Sequence, residues 1–98
     1  MKSRFHEAAE AELTDAVLYY DEIARGLGDR LLEEIKEAAN AIETYPHIAP
    51  VIALGVRGKV LTSFPYSLLY LVEDEEIVLL AVAHQSRRPA YWSDRLTR

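Results

Sequence analysis

The sequence contains no cysteine, which removes disulfides, thiolate metal sites and cysteine nucleophiles at once and fits a reducing, cytoplasmic setting. No apolar run approaches the ~18 residues of a membrane-spanning helix, and the first residues lack the pattern of a signal peptide. Basic residues are outnumbered: the formal net charge of −5 argues against a generic nucleic-acid coat. Three histidines, His6, His47 and His84, are scattered without ligand spacing, so neither a metal site nor a cofactor is expected. Glycine and proline are scarce, four of each, so each one marks a break.

Half of the residues are hydrophobic, enough for a folded core. The 98 residues show no repeat, low-complexity segment or linker, and read as one domain spanning 1–98. The acids crowd the first half, at Glu7, Glu10, Glu12, Asp15, Asp21, Glu22, Asp29, Glu33, Glu34, Glu37 and Glu43. Arg57, Lys59, Arg87, Arg88, Arg95 and Arg98 make the second half mildly basic. An acidic helical layer backing a sheet with a basic edge is expected.

The densest signal is Ile77 to Ala83, IVLLAVA, apolar at every position. A run of that length with β-branched residues and no polar face suits a strand covered on both sides. Tyr66 to Val72 is nearly as apolar, and Glu73 to Glu76 link the two as a hairpin. Pro65 cannot donate to a ladder, so that strand begins at Tyr66. An alternating segment from Val56 supplies a third strand, with an irregular start at Val51 to Leu54, and Lys2 to Phe5 is too short to assign, an edge strand at most.

Ahead of the sheet, Ala9, Leu13, Ala16, Val17, Tyr20 and Ala24 recur at helical spacing. Gly26-Leu27-Gly28 breaks that helix, with Gly26 as a left-handed cap and Asp29 as the cap of the next. The second stripe is Leu31, Leu32, Ile35, Ala38, Ala39, Ile42 and Tyr45, ended by Pro46. Pro89 is placed to open a short terminal helix. The expected fold is α+β: an N-terminal antiparallel helix hairpin on a three- to four-stranded antiparallel sheet, then a short C-terminal helix.

Polar chemistry gathers where the central strand ends, at His84, Gln85, Ser86, Arg87, Arg88, Tyr91 and Trp92. His84 suits a general base, or a ring closing the strand on a backbone carbonyl. Arg57 and Arg87 suit phosphate or an acidic partner, or pairing with helix carboxylates such as Glu12 or Asp15. Tyr91 and Trp92 suit stacking or a partner pocket, or packing of the terminal helix onto the sheet.

The order of these pieces resembles the RelE/ParE superfamily of type II toxin–antitoxin toxins. The matching elements are A-x-x-E-L-x-x-A-x-x-Y-Y (Ala9, Glu12, Leu13, Ala16, Tyr19, Tyr20), G-L-G at Gly26, P-x-x-x-P at Pro46 and Pro50, and V-R at Val56. F-P-Y-S-L-L-Y follows from Phe64, and A-V-A-H-x-x-R-x-P-x-Y-W from Ala81. The likeness is closer to the ParE-like, plasmid-stabilisation branch. It implies a small cytoplasmic toxin held inactive by a cognate antitoxin, as a homodimer or as a hetero-oligomer with that antitoxin. It also implies a protein–protein inhibitor of DNA gyrase that causes growth arrest, with operator DNA left to the antitoxin. Target contacts then fall to Arg57, Lys59, His84, Arg87, Arg88, Tyr91 and Trp92. Candidate antitoxin anchors are received by Leu54, Val56, Val60, Leu61 and Leu69 on an open sheet edge.

The alternatives are a ribosome-dependent mRNA endoribonuclease and a non-toxic, antitoxin-binding member of the fold. A ribonuclease needs a proton acceptor, a proton donor and cations on the phosphate, for which Tyr91, Arg87, Arg57 and His84 are the candidates. In the ribonuclease branch an arginine stands in the strand where this chain has Ser67, and alternating lysines where it has only Lys59. Gln85 stands near the place of a further arginine, and Tyr91 matches the branch's terminal tyrosine.

Overall fold

The computed structural model describes residues 1–96. Two layers form: a helix hairpin, α1 (Glu7–Ile23) and α2 (Leu27–Thr44), and a five-stranded sheet. The strands are β1 (Lys2–Phe5), β2 (Val51–Ala53), β3 (Val56–Val60), β4 (Tyr66–Val72) and β5 (Glu76–His84), in the order β1-β5-β4-β3-β2. Strands β2 to β5 form the expected antiparallel meander, but β1 runs parallel to β5, so the sheet is mixed and has five strands. The physical reason is β5 itself: with Ile77 to Ala83 all buried, its first half needs a neighbour on each edge, and the N-terminal strand supplies one.

Both faces of β5 are covered. Leu68, Tyr70, Ile77, Leu79 and Val82 face the helices, with Leu31, Ile35 and Ile42 of α2 and Leu13 and Ala16 of α1. Val56, Leu69, Val78, Leu80, Ala81 and Ala83 face the other way, against Trp92, Tyr91, Ala90 and Leu96. The alternation slips once. Leu69 pairs with Ala81 and Tyr70 with Leu79, so Leu80 is an extra residue, and Leu80 and Ala81 turn to the same face.

His6, in an extended conformation, caps α1: its Nδ1 accepts the Ala8 N–H at 3.0 Å. At Gly26 the backbone is left-handed (φ 84°) and opens α2 at Leu27, which places Asp29 inside the first turn rather than at the cap. Gly28 is a close approach: a Cβ there would stand 2.4 Å from the Val17 carbonyl and 2.8 Å from the Asp21 carboxylate. The Pro46 to Pro50 loop is held from inside by Tyr70, whose hydroxyl donates to the Pro46 carbonyl at 2.8 Å.

The terminal helix is also corrected. Pro89 to Trp92 form turns, with Ala90 at φ 57°, and only Ser93–Leu96 make a single 3-10 turn. A left-handed residue cannot continue an α-helix begun at Pro89. Arg98 lies outside the described residues.

Candidate functional site at the open end of the central strand

The site begins where β1 stops. The His6 N–H donates to the Leu79 carbonyl, and the chain then leaves the sheet as α1. From Leu80 onward that edge of β5 has no strand beside it among the described residues. Backbone groups on a bare, half-buried edge need partners, and two side chains supply them. Glu12 accepts the Val82 N–H through Oε1 at 3.0 Å, and Arg95 Nη1 donates to the Leu80 carbonyl at 3.0 Å.

The two side chains also pair with each other. Arg95 Nη1 meets Glu12 Oε1, and Nη2 meets Oε2, each at 2.9 Å, in a forked ion pair. Tyr91 adds a third donor, its hydroxyl to Glu12 Oε2 at 2.6 Å. Burial alone would raise the Glu12 pKa. The hydrogen bonds from Arg95, Tyr91 and Val82 outweigh it and hold the carboxyl below its ordinary value. For Tyr91, burial and then the bond to Glu12 push the phenol well above its ordinary value.

On the Tyr91 ring lies the Arg87 guanidinium, 3.9 Å from the centroid. Arg87 is exposed, and its backbone N–H closes a turn on the His84 carbonyl at 3.1 Å. His84 is that turn's other fastening. Its Nδ1 accepts the Ser86 N–H at 3.0 Å, and its ring meets Tyr66 edge-on at 5.0 Å. The strand is therefore closed on an amide, not on a carbonyl, with Nδ1 as the acceptor. A cavity of about 240 Å³ adjoins, with Leu69 and Ala83 in its lining and Arg87, Arg88 and His84 at its polar side.

The structure brings His84, Arg87, Arg88 and Tyr91 together and sets the other candidates apart. Arg57 on β3 donates to the Ala49 carbonyl at 2.7 Å and so clasps the proline loop. Lys59, two residues on, lines a separate cleft of about 540 Å³ between α2 and β3. Trp92 is only 3% exposed and packs the terminal segment onto the sheet instead of meeting a partner. Neither Arg57 nor Arg87 pairs with Glu12. Arg95 does, a residue that its sequence context marks only as one more basic charge.

Among the antitoxin candidates, Val56, Leu61 and Leu69 are buried in the two cores, so they support the sheet and are not free to receive anchors. Leu54 and Val60 are 65% and 63% exposed, Val51 and Ile52 of the edge strand β2 about half, and Val60 stands beside Lys59 at the α2–β3 cleft. No group of histidines and carboxylates that could hold a metal ion occurs among the described residues. No helix among them is long and apolar enough to cross a membrane.

The model of the ParE toxin of the type II toxin–antitoxin system parDE matches residues 4–89. The chain belongs to the ParE toxin family. A solved chain described as the chromosomal ParDE toxin–antitoxin system from P. aeruginosa superposes with a TM-score of 0.76 at 20% identity. The match covers 86% of this chain and 95% of that one, a likeness of fold. No protein of curated function matches the sequence. In the ParE family's matched span lie Glu12, Arg87 and the whole of β5, while Tyr91 and Arg95 follow it.

Proposed function

We propose that this ParE-family chain arrests growth in the cytoplasm by binding DNA gyrase, with the exposed Arg87, stacked on Tyr91, at the centre of the contact. The observation that carries this reading is the state of Tyr91. Its hydroxyl already donates to Glu12, and its pKa is raised by burial and by that carboxylate, so it is poorly suited to giving or taking a proton. His84 Nδ1 is occupied by Ser86, and Ser67 brings no charge to β4. What the corner offers a partner is a forked cation, a second arginine and a small apolar hollow, which is the equipment of a binding surface.

Neutralisation belongs to the neighbouring edge. The exposed strip Val51, Ile52, Leu54 and Val60 at the β2–β3 edge suits the flexible tail of a cognate antitoxin, which would cover it. Ile52 of that strip also lines the hollow beside Arg87, so on this reading the inhibitor and target contacts adjoin and share a residue.

Purified chain in a gyrase supercoiling assay, run beside a translating ribosome with mapped mRNA ends, tests the reading. Loss of supercoiling without mRNA cleavage is expected. Cuts in the ribosomal A site would instead make it a ribonuclease. Neither activity, with tight antitoxin binding, would leave a non-toxic member of the fold.

A further inference from the structure

We propose that Glu12 and the Tyr91 hydroxyl are positioning groups for Arg87, setting the attitude in which that guanidinium meets a protein partner. The inference rests on the proposed role of Arg87 and adds the residues that act through it. Arg87 is exposed on a turn and shares no short bond with a carboxylate; the contact that orients its head is the face of the Tyr91 ring at 3.9 Å. That ring is itself on a segment without regular helix, following a left-handed Ala90. Its body packs against the second core, while its hydroxyl end needs a hold of its own. Glu12 holds it, at 2.6 Å.

Glu12 can serve as the fixed point because it is anchored three ways. It leaves α1 at a buried turn between Ala9 and Ala16, takes the Val82 N–H of β5, and is clamped by both Nη atoms of Arg95. Arg95 in turn grips the Leu80 carbonyl and stands 5.2 Å from the Tyr91 ring centre. The line of support therefore runs from helix and strand, through carboxylate and phenol, to an arginine at the surface. A rigid cation loses less freedom on meeting a partner than one free to sweep solvent.

The shape of the site favours a protein partner over a nucleic acid. Trp92 is buried and one face of Tyr91 is taken by Arg87; the exposed ring nearby, Tyr19, shares its hollow with the acids Glu12 and Asp15, which repel a phosphate backbone. An acidic protein surface needs only the fork and the hollow.

The test combines side-chain NMR of Arg87 with gyrase binding, for wild type, Glu12→Gln, Tyr91→Phe, Arg87→Ala and the two double variants with Arg87→Ala. Tyr91→Phe keeps the ring and the Glu12–Arg95 pair, so it keeps the fold even if Glu12→Gln does not. In the wild type the Arg87 side-chain protons should be shifted upfield by the ring, and that shift should shrink in both single variants. Each should weaken gyrase binding about fivefold, the scale of one cation–ring contact. Neither should weaken it further once Arg87 is alanine. An unchanged ring shift in both variants overturns the proposal whatever gyrase does. So does wild-type affinity in both, or losses that add in full to that of Arg87→Ala. If the wild type fails to bind gyrase, the proposed function falls, and the ring shift alone still decides whether Glu12 and Tyr91 hold Arg87.

Discussion

Glu12 and Tyr91 are 79 positions apart in the chain and 2.6 Å apart in space, carboxylate to phenol. With Arg95 they close an edge that β1 leaves bare. Replacing Glu12 by alanine strands a partly buried guanidinium, a phenol and the Val82 N–H together. The pair is not fully sealed, so the cost should sit below the usual range for buried pairs, at about 2 kcal/mol. In a domain of this size that lowers the melting temperature by about 10 °C. Thermal denaturation followed by circular dichroism checks this, and a change within 2 °C, on the order of an ordinary surface substitution, would contradict it.

Acid should undo the same contact. The Glu12 carboxyl is held below its ordinary value in the fold, while in the unfolded chain it titrates near the usual ~4.3. The unfolded state then binds the proton more readily, so the contribution is fully present above that value and fades as pH falls through the lower, folded one. Wild type and Glu12→Gln should differ in melting temperature at pH 7, and the gap should begin to narrow as pH falls below about 4.3. A gap of equal size at pH 3 and pH 7 would mean that the carboxylate charge contributes nothing.

Much of the fold was legible because burial leaves a periodic mark. The two helix stripes, the both-sided burial of β5, the breaks at Gly26 and Pro46 and the start of β4 at Tyr66 all followed from spacing. The parallel β1 did not, since four residues carry no sign of which neighbour they choose. Nor did the 3-10 turn, which hangs on a left-handed Ala90 that no composition rule marks. In the site, Arg87 and Tyr91 were visible as an arginine beside aromatics. Arg95 was hidden as one more surface charge. Glu12 had a signal that went unused: an acid three residues after Ala9 and four before Ala16 points toward the buried stripe, where a charge requires a partner.

Gly28 should tolerate no side chain. A methyl group would press on the Val17 carbonyl and the Asp21 carboxylate, and the Gly28 N–H bond to Asp21 Oδ1 at 2.8 Å fixes that approach. Backbone cannot retreat cheaply, so Gly28→Ala is expected to cost about 2 kcal/mol of overpacking despite alanine's better helix propensity. Urea denaturation gives the number, and equal or greater stability would show that the helix hairpin opens to make room.

Arg87→Ala should separate activity from stability. The side chain is exposed and rests on the Tyr91 ring, and the hydrogen bond that ties Arg87 to the fold is through its backbone N–H, which alanine keeps. Growth arrest on expression should be relieved while the melting temperature moves by less than about 2 °C, as for a surface substitution. Full toxicity at equal expression would remove Arg87 from the contact.

The edge formed by β2 and β3 should behave in the opposite way, silent in toxicity and decisive for neutralisation. Leu54 is held at φ 54° in the turn between the two strands, and Val60 ends β3 with its side chain in solvent. Aspartate at either exposed position adds charge to water and removes no core contact, so the fold and growth arrest should persist. A charge facing an apolar antitoxin tail leaves a desolvated carboxylate at the interface, which costs well over 1 kcal/mol. Saturating antitoxin at 100 times its dissociation constant stabilises the wild-type toxin by about 2.7 kcal/mol, visible as a higher melting temperature. In Leu54→Asp and Val60→Asp that rise should shrink by at least half at the same antitoxin concentration, about a 1.4 kcal/mol loss. An undiminished rise in both variants would place the antitoxin away from this edge and from the α2–β3 cleft that Val60 lines.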